Sequence, residues 1–365
     1  MTDTTLSHTA VTGPNSAVNR TQEEKSFAKA ILTKEMPTYR QAYSDRTAWL
    51  MSCAAELAYV KFNPLLPNEK LQAVFNKQVD EYLEGEKKKI LTLLLDSFSY
   101  DAKDQEKILI SDLGTIRLKL IKTFDVADTQ AFIAVTDQFA VLSFRGTESN
   151  KPNDIKSDLK AMQVKCITGG MVHSGFSEAF DAVSEQVQTA LNEANITEKP
   201  LFITGHSLGG ALATIAAKRL THKSGIAGCY TFGSPRVGDT NWVTGLRTPV
   251  YRVVNAVDSV TMMPPGGEVI ACASKLFSLI PFLQPFSELI QEKFGGYLHS
   301  GDMRYLTNCE KGDFEKVKLL SSVSWLYRIM GMMKNKFGAS KVLKDHSMVN
   351  YRTKLSIIAR KRNLD

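Results

Sequence analysis

The sequence predicts an α/β fold with a mostly parallel central sheet covered by helices on both faces. Three observations point there. Short runs rich in β-branched and aromatic residues alternate with amphipathic helical runs, the pattern of strand–helix–strand units. Pro200-Leu-Phe-Ile-Thr204 reads as a buried strand and Gly210-Ala-Leu-Ala-Thr-Ile-Ala-Ala217 as a helix. Continuously apolar strands of this kind belong to parallel sheets buried on both sides.

The elements follow in chain order. Residues 1–20 are polar and rich in Thr, Ser and Asn, with no basic region leading into an apolar core. They are expected to form a disordered leader rather than a secretory signal. A cytoplasmic location is therefore the default expectation, with export that uses no cleaved signal left open. Thr21 to Thr33 reads as a short amphipathic helix. Arg46 to Tyr59 reads as a stronger one, with Ser44 or Asp45 placed to cap it. Leu71 to Leu95 is expected to be helical. Phe124-Asp-Val126 turns into a strand from Thr129 to Val135, which forms a hairpin at Asp137 with Gln138 to Phe144. Gly175 to Ala194 is a long helix. Two further strands are expected at Gly228 to Phe232 and Pro249 to Val254. No repeat and no Pro- or Gly-rich linker divides the chain. Residues 21–365 therefore read as one domain, with a helical N-terminal preface, an insert at 266–295 and a helical, basic C-terminal part at 321–365.

Composition narrows the class. Of 365 residues, 43% are hydrophobic and 23% charged, which is ordinary for a soluble globular protein. No apolar run approaches the roughly 18 residues that span a bilayer. Five widely spaced cysteines without a C-x-x-C pair argue against a disulfide framework or a zinc site, so no metal is expected. The net charge of +7 sits at the C-terminal end, where nine Lys or Arg from Lys334 onward face only Asp345 and Asp365. Such a stretch can meet anionic lipid or form a solvated helix face; a nucleic-acid partner is not expected.

Gly205-His-Ser-Leu-Gly209 joins the buried strand to its helix. The G-x-S-x-G pattern in that context is the nucleophile elbow of α/β-hydrolases. A turn this tight strains the backbone at Ser207. A Cβ at Gly205 or Gly209 would collide with the neighbouring strand and helix. The hydroxyl is left at the tip of the sheet, where the helix N-terminus favours developing negative charge. The plainer reading is a Gly-rich strand-to-helix turn, which the flanking strand and helix disfavour.

A serine nucleophile needs a base, and the base an orienting carboxylate, in the chain order Ser, acid, His. Six histidines allow elimination. His8 lies in the leader and His173 precedes the serine. His206 adjoins Ser207 and should leave the elbow in another direction. His222 is far down the next helix, roughly 22 Å away at 1.5 Å per residue. His299 and His346 remain, and spacing does not separate them. Asp258 follows the strand ending at Val254, on the sheet edge where open α/β folds bind ligands. It is preferred to Asp239, whose turn reads as structural.

Seven motifs appear in order: Tyr43-Ser-Asp-Arg-Thr-Ala-Trp49, Phe144-Arg-Gly-Thr-Glu148, Val172-His-Ser-Gly-Phe176, Gly205 to Ala213, Tyr230-Thr-Phe-Gly-Ser-Pro-Arg-Val-Gly-Asp239, Asn255-Ala-Val-Asp-Ser-Val260 and Asp345-His-Ser-Met348. Together they resemble the class 3 lipases, the group of the fungal triacylglycerol lipases. The resemblance implies an α/β-hydrolase fold and a serine ester hydrolase with no cofactor. It implies His346 as the base, within an Asp-His-x-x-x-x-Tyr element, and a supporting role for the segment around His299. It implies Thr147 and Leu208 as oxyanion-hole donors, each typically worth about 2.7–4 kcal/mol. It implies a lid at Ser149, Asn150, Lys151, Pro152, Asn153, Asp154, Ile155 and Lys156, which here is polar apart from Ile155. Arg145 and Glu148 are expected to form an ion pair, and His173 to hydrogen-bond locally.

The chain departs from that family pattern after Pro265. Leu276-Phe-Ser-Leu-Ile-Pro-Phe-Leu-Gln-Pro-Phe286 is apolar but broken by Pro281 and Pro285, too short for a bilayer span and unlike a core helix. Trp325 to Phe337 is aromatic, Met-rich and basic, as interfacial segments are. Phe277, Phe282, Phe286 and Trp325 are therefore candidate lipid contacts, helped by basic residues facing an anionic membrane. The alternative is an extra helical layer. The substrate is expected to be an acyl glycerolipid, either triacylglycerol or phospholipid, with a slight tilt to phospholipid. Small or aryl esters, which a polar lid suits, and a catalytically silent membrane-binding module are the alternatives.

Overall fold

The computed structural model describes residues 22–38, 42–60, 102–146, 162–267, 270, 296–309, 313–334 and 345–363. Residues 1–20 and 71–95, the lid candidates 149–156, Thr147, Glu148, Phe277, Phe282 and Phe286 lie outside them.

Helices α1 (Gln22–Ile31), α2 (Asp45–Leu57) and α3 (Ala102–Thr115) precede the sheet. Of the two expected caps for α2, Ser44 fills the role, its side-chain oxygen accepting the Thr47 N–H at 3.3 Å. Strands β1 (Lys119–Val126), β2 (Thr129–Val135) and β3 (Ala140–Phe144) form an antiparallel meander. The β1–β2 turn uses Ala127 and Asp128 at φ 47 and 64, the left-handed pair of a tight hairpin. A two-stranded ribbon, β4 (Gln163–Lys165) with β5 (Met171–His173), leads into α4 (Ser174–Leu191).

Strand β6 (Leu201–His206) and helix α5 (Leu208–Arg219) flank Ser207. Then come β7 (Ile226–Phe232), α6 (Thr240–Thr244), β8 (Val250–Asn255), β9 (Asp302–Leu306), β10 (Leu319–Leu320), α7 (Trp325–Lys334) and α8 (Met348–Asn363). The sheet runs β1-β2-β3-β6-β7-β8-β9-β10. It is parallel from β3 to β9 and antiparallel at both edges. Strand β9 is missing from the sequence reading. Asp302-Met-Arg-Tyr-Leu306 looks too polar for a strand until Arg304 is seen to lie over the Tyr43 and Tyr251 rings.

Side chains alternate across the sheet, so each strand supplies two cores. Phe132, Ala134, Phe202, Phe232 and Val253 face α2 and α8. Ala131, Ile133, Leu142, Ile203 and Cys229 face α4 and α5. No described helix is long and apolar enough to cross a membrane.

The described basic side chains of the C-terminal stretch are all paired. Arg352 is buried against Glu24 and Glu56. Lys354 donates to Asn255 Oδ1 at 2.7 Å and to the Thr307 carbonyl at 3.0 Å. Arg360 and Lys361 pair with Glu315, and Arg362 with Asp45. Thr47, Leu50, Ile358 and their neighbours thereby join α8 to the front of the chain around these buried charges.

Candidate active site

The elbow is built by exclusion of side chains. Ser207 sits at φ 57, ψ −128, a backbone state that L-residues rarely hold. Its N–H donates to the Phe232 carbonyl of β7 at 2.9 Å, which pins the turn. A Cβ at Gly205 would run into the backbone of Gly209, and one at Gly209 into the Phe144 carbonyl of β3. Glycine at both positions lets strand, turn and helix meet.

At the C-terminal edge of the sheet three expected residues come together. The Ser207 hydroxyl donates to Nε2 of His346 at 2.8 Å. His346 Nδ1–H donates to Oδ2 of Asp258 at 2.9 Å. That second bond fixes the tautomer that leaves Nε2 free to accept. All three side chains are buried. Asp258 lies three residues past β8, as the edge position of its loop requires, and His346 arrives from the turn before α8, 139 residues after the serine.

The sequence signature of the class 3 lipases matches residues 141–268, a segment that holds Ser207 and Asp258. Over that segment the chain is similar to the class 3 lipases. A secreted mono- and diacylglycerol lipase of Fusarium solani is 42% identical over 27% of this chain and 31% of its own length. A lipase of Rhizomucor miehei is 36% identical over 42% of this chain and 46% of its own. The chain thus spans less than half the length of these relatives. The crystal structure of a mutant MDLA protein from Penicillium cyclopium, 18% identical, covers 85% of this chain and 97% of its own at a TM-score of 0.50. That likeness is one of fold, and the fold is the α/β-hydrolase fold.

In this chain the acid is held by more than the histidine. Tyr351, one turn into α8, donates its hydroxyl to Asp258 Oδ2 at 2.6 Å and accepts the Asn255 N–H at 3.0 Å. Oδ1 accepts the Val260 N–H at 3.0 Å. Burial pushes the Asp258 carboxyl up, but the adjacent His346 and the hydrogen bonds from His346 and Tyr351 outweigh it and hold it below the usual range. Burial and Asp258 together keep the Tyr351 phenol protonated, so it stays a donor. Gly233 passes so close that a Cβ there would lie 2.8 Å from Asp258 Oδ2 and 3.0 Å from the His346 ring.

Two residues that sequence reasoning missed support the same groups. Tyr59 donates to His206 Nδ1 at 2.7 Å, and His206 Nε2–H donates to the His346 carbonyl at 2.7 Å. His206 does leave the elbow away from the Ser207 hydroxyl, yet its ring lies 4.5 Å from the His346 ring. Burial and the neighbouring His346 push its pKa down to about 3, so it is a neutral prop. Arg328 of α7 is the second. It is buried and donates through Nη2 to the Asp258 carbonyl at 2.9 Å and to Thr261 Oγ1. The motif list gave no signal for Arg328, because its segment reads as an interfacial helix.

The other expectations sort as follows. His299 is half-buried and donates through Nε2 to the Thr261 carbonyl at 2.6 Å, away from Ser207. Asp239 caps α6 through the Trp242 N–H at 2.8 Å and accepts the Met171 N–H at 3.0 Å, a structural role. Leu208 opens α5, so its N–H is one of the first-turn donors without an intrahelical acceptor. Thr147 lies outside the described residues. Arg145 donates to Gln130 and lies over the Tyr59 ring, while Glu148 is not described. His173 corrects the expectation of a local hydrogen bond. Both its ring nitrogens are buried without a hydrogen-bond partner, and it stacks on Phe176 at 3.9 Å instead.

Trp325 is the one candidate lipid contact among the described residues. It is 39% exposed, beside Leu326 at 52%, Tyr327 at 51% and Met330 at 46% on the same helix.

Proposed function

We propose that this chain is a serine ester hydrolase that cleaves acyl ester bonds of glycerolipids through an acyl-enzyme. One observation carries the reading: a serine on a strained elbow donates to a histidine nitrogen whose partner nitrogen is held by a buried carboxylate. In this mechanism Ser207 Oγ attacks the ester carbonyl as its proton passes to His346 Nε2. The oxyanion takes the Leu208 N–H, with Thr147 as the second donor. The tetrahedral intermediate collapses, and the leaving alkoxide takes the proton from His346. Water, deprotonated by His346, then releases the fatty acid. Asp258 stabilises the imidazolium in each half without itself accepting the proton. Every proton in this cycle is moved by a side chain, so the mechanism calls on no metal or organic cofactor.

Glyceride esters are the favoured substrates, in line with the mono- and diacylglycerol lipase among the relatives. The outward apolar side chains of α7 support contact with a lipid aggregate. The pairing of the described basic residues within α8 gives no such support to attraction by anionic head groups.

A fluorophosphonate probe tests the nucleophile: wild type is labelled and Ser207→Ala is not. Asp258→Asn is expected to lower kcat by about 10⁴-fold with the fold intact. The substrate class is read from p-nitrophenyl esters of rising chain length, followed by triacylglycerol emulsion and phosphatidylcholine vesicles. Activity confined to short soluble esters would sink the glycerolipid reading.

A further inference from the structure

Arg236, Arg328 and His299 all bond the turn from Asp258 to Pro264, Arg236 to the Met262 and Pro264 carbonyls, Arg328 to the Asp258 carbonyl and His299 to the Thr261 carbonyl, and Arg252 lies in their field. Arg252 leaves the middle of β8 on the face opposite Tyr251 and Val253. Its Nε and Nη1 are buried with no hydrogen-bond partner. The Nε of Arg328 is buried and unpartnered too, even though its Nη2 is engaged at Asp258. Among the described residues Arg252 makes no ion pair. Asp302 is the acid in its field, and that side chain is 70% exposed and lies 4.0 Å from Arg304. Burial and the two neighbouring guanidinium groups push Arg252 down to about 9. Burial with the same cations keeps His299 neutral.

Asp258 is the counter-charge of Arg328, whereas Arg252 has only the exposed Asp302 among the described residues. An unpartnered buried guanidinium forfeits its hydration and strongly destabilises the fold unless an anion restores the bonds. Arg252 as a whole is half-buried.

We propose that Arg252 and Arg328, in the field of Arg236, form a binding site for a phosphate group. A tetrahedral phosphate offers oxygens in several directions and can accept from two guanidinium forks at once. A carboxylate has two oxygens in one plane and satisfies one fork. Arg328, which donates to the Asp258 carbonyl, ties the site to the loop that carries the acid. The phosphate is supplied either by the head group of a phospholipid or by the free ion. Only the head-group source rests on the lipid-hydrolase reading.

The test uses the full chain. Thermal unfolding is followed in orthophosphate, in glycerophosphocholine, and in chloride or acetate at equal ionic strength. Orthophosphate is expected to raise the midpoint of wild type above chloride and acetate. It is expected to do the same for Ser207→Ala, so the result stands apart from hydrolysis. In Arg252→Met the increment disappears. Equal shifts in chloride, acetate and phosphate, or an undiminished increment in Arg252→Met, would overturn the site. Should Arg252→Met not fold, calorimetric titration of wild type with orthophosphate decides: saturable binding supports the site, and none up to about 10 mM removes it. The source is read from the ratio of phosphatidylcholine to triacylglycerol hydrolysis. A drop of about tenfold in Arg252→Met, with stabilisation by glycerophosphocholine, assigns the head group. Stabilisation by orthophosphate alone, with an unchanged ratio, assigns the free ion.

Discussion

Tyr351 donates its hydroxyl to the same oxygen of Asp258 that receives the His346 N–H, at 2.6 Å and 2.9 Å. One carboxylate oxygen thus takes two charge-assisted bonds, while the other takes the Val260 N–H. The acid is fixed from α8 and from its own loop. The imidazole it orients is fixed with it.

Tyr351→Phe removes one of these bonds and strands the Asn255 N–H without its acceptor. A hydrogen bond to a charged group is worth about 1.5–3 kcal/mol, so kcat on a soluble ester should fall about 10- to 100-fold with KM unchanged. A change in KM alone would show that Tyr351 does not act through Asp258.

Arg328→Met leaves the Asp258 carbonyl and Thr261 Oγ1 without their shared donor. The acid loop loses its tie to α7, and kcat is expected to drop about tenfold on a soluble ester. Arg328→Lys should recover part of that loss, since an ammonium reaches one acceptor but not a forked geometry. Equal activity in all three proteins would rule out the positioning role.

Stability should fall on acidification. Burial holds His173 at about 4, and burial with His346 holds His206 at about 3, against about 6.5 in the unfolded chain. Both folded pKa values are depressed, so between these values and 6.5 the unfolded state binds more protons. The unfolding midpoint should therefore decline as pH drops from about 6.5 towards 4 and be insensitive to these groups above 6.5. His173→Phe keeps the stacking on Phe176 and should flatten the decline. A slope identical to wild type would show that His173 is not buried in its neutral form.

Gly205→Ala tests the elbow against a control. The added methyl meets Gly209 backbone on the next helix and should cost about 3 kcal/mol or more, visible as loss of soluble protein or a large fall in midpoint. Gly114→Ala, in α3, meets nothing within 4 Å and should be neutral or stabilising by about 0.4–1 kcal/mol. Matching behaviour of the two variants would contradict the packing at Gly205.

The strands that a period-2 or continuous apolar pattern marks, β2, β3, β6, β7 and β8, were legible because burial alone writes that pattern. The elbow was legible because only glycine fits where β3, β6 and α5 converge. Ser207 follows β6 and Asp258 follows β8, with β7 between them in the sheet, and both lie at its C-terminal edge, so local rules reach both.

Local rules stop at contacts made across the fold. Spacing left His299 and His346 undivided, and family resemblance chose between them. The geometry at Ser207 exists because α8 docks on α2 around Arg352, Glu24 and Glu56 and carries the turn holding His346 to the edge. The same docking consumes charges that the linear sequence displays as a basic patch. Arg328 reads as the cationic side of an interfacial helix until that helix is placed against Asp258. The sequence by itself determined the sheet, the elbow and the chemistry of the nucleophile, because steric limits and burial act between near neighbours. Tertiary structure decided which histidine meets the serine, which tyrosine and arginine hold the acid, and which positive charges remain without a partner, because electrostatic and hydrogen-bond partners are chosen by distance in space.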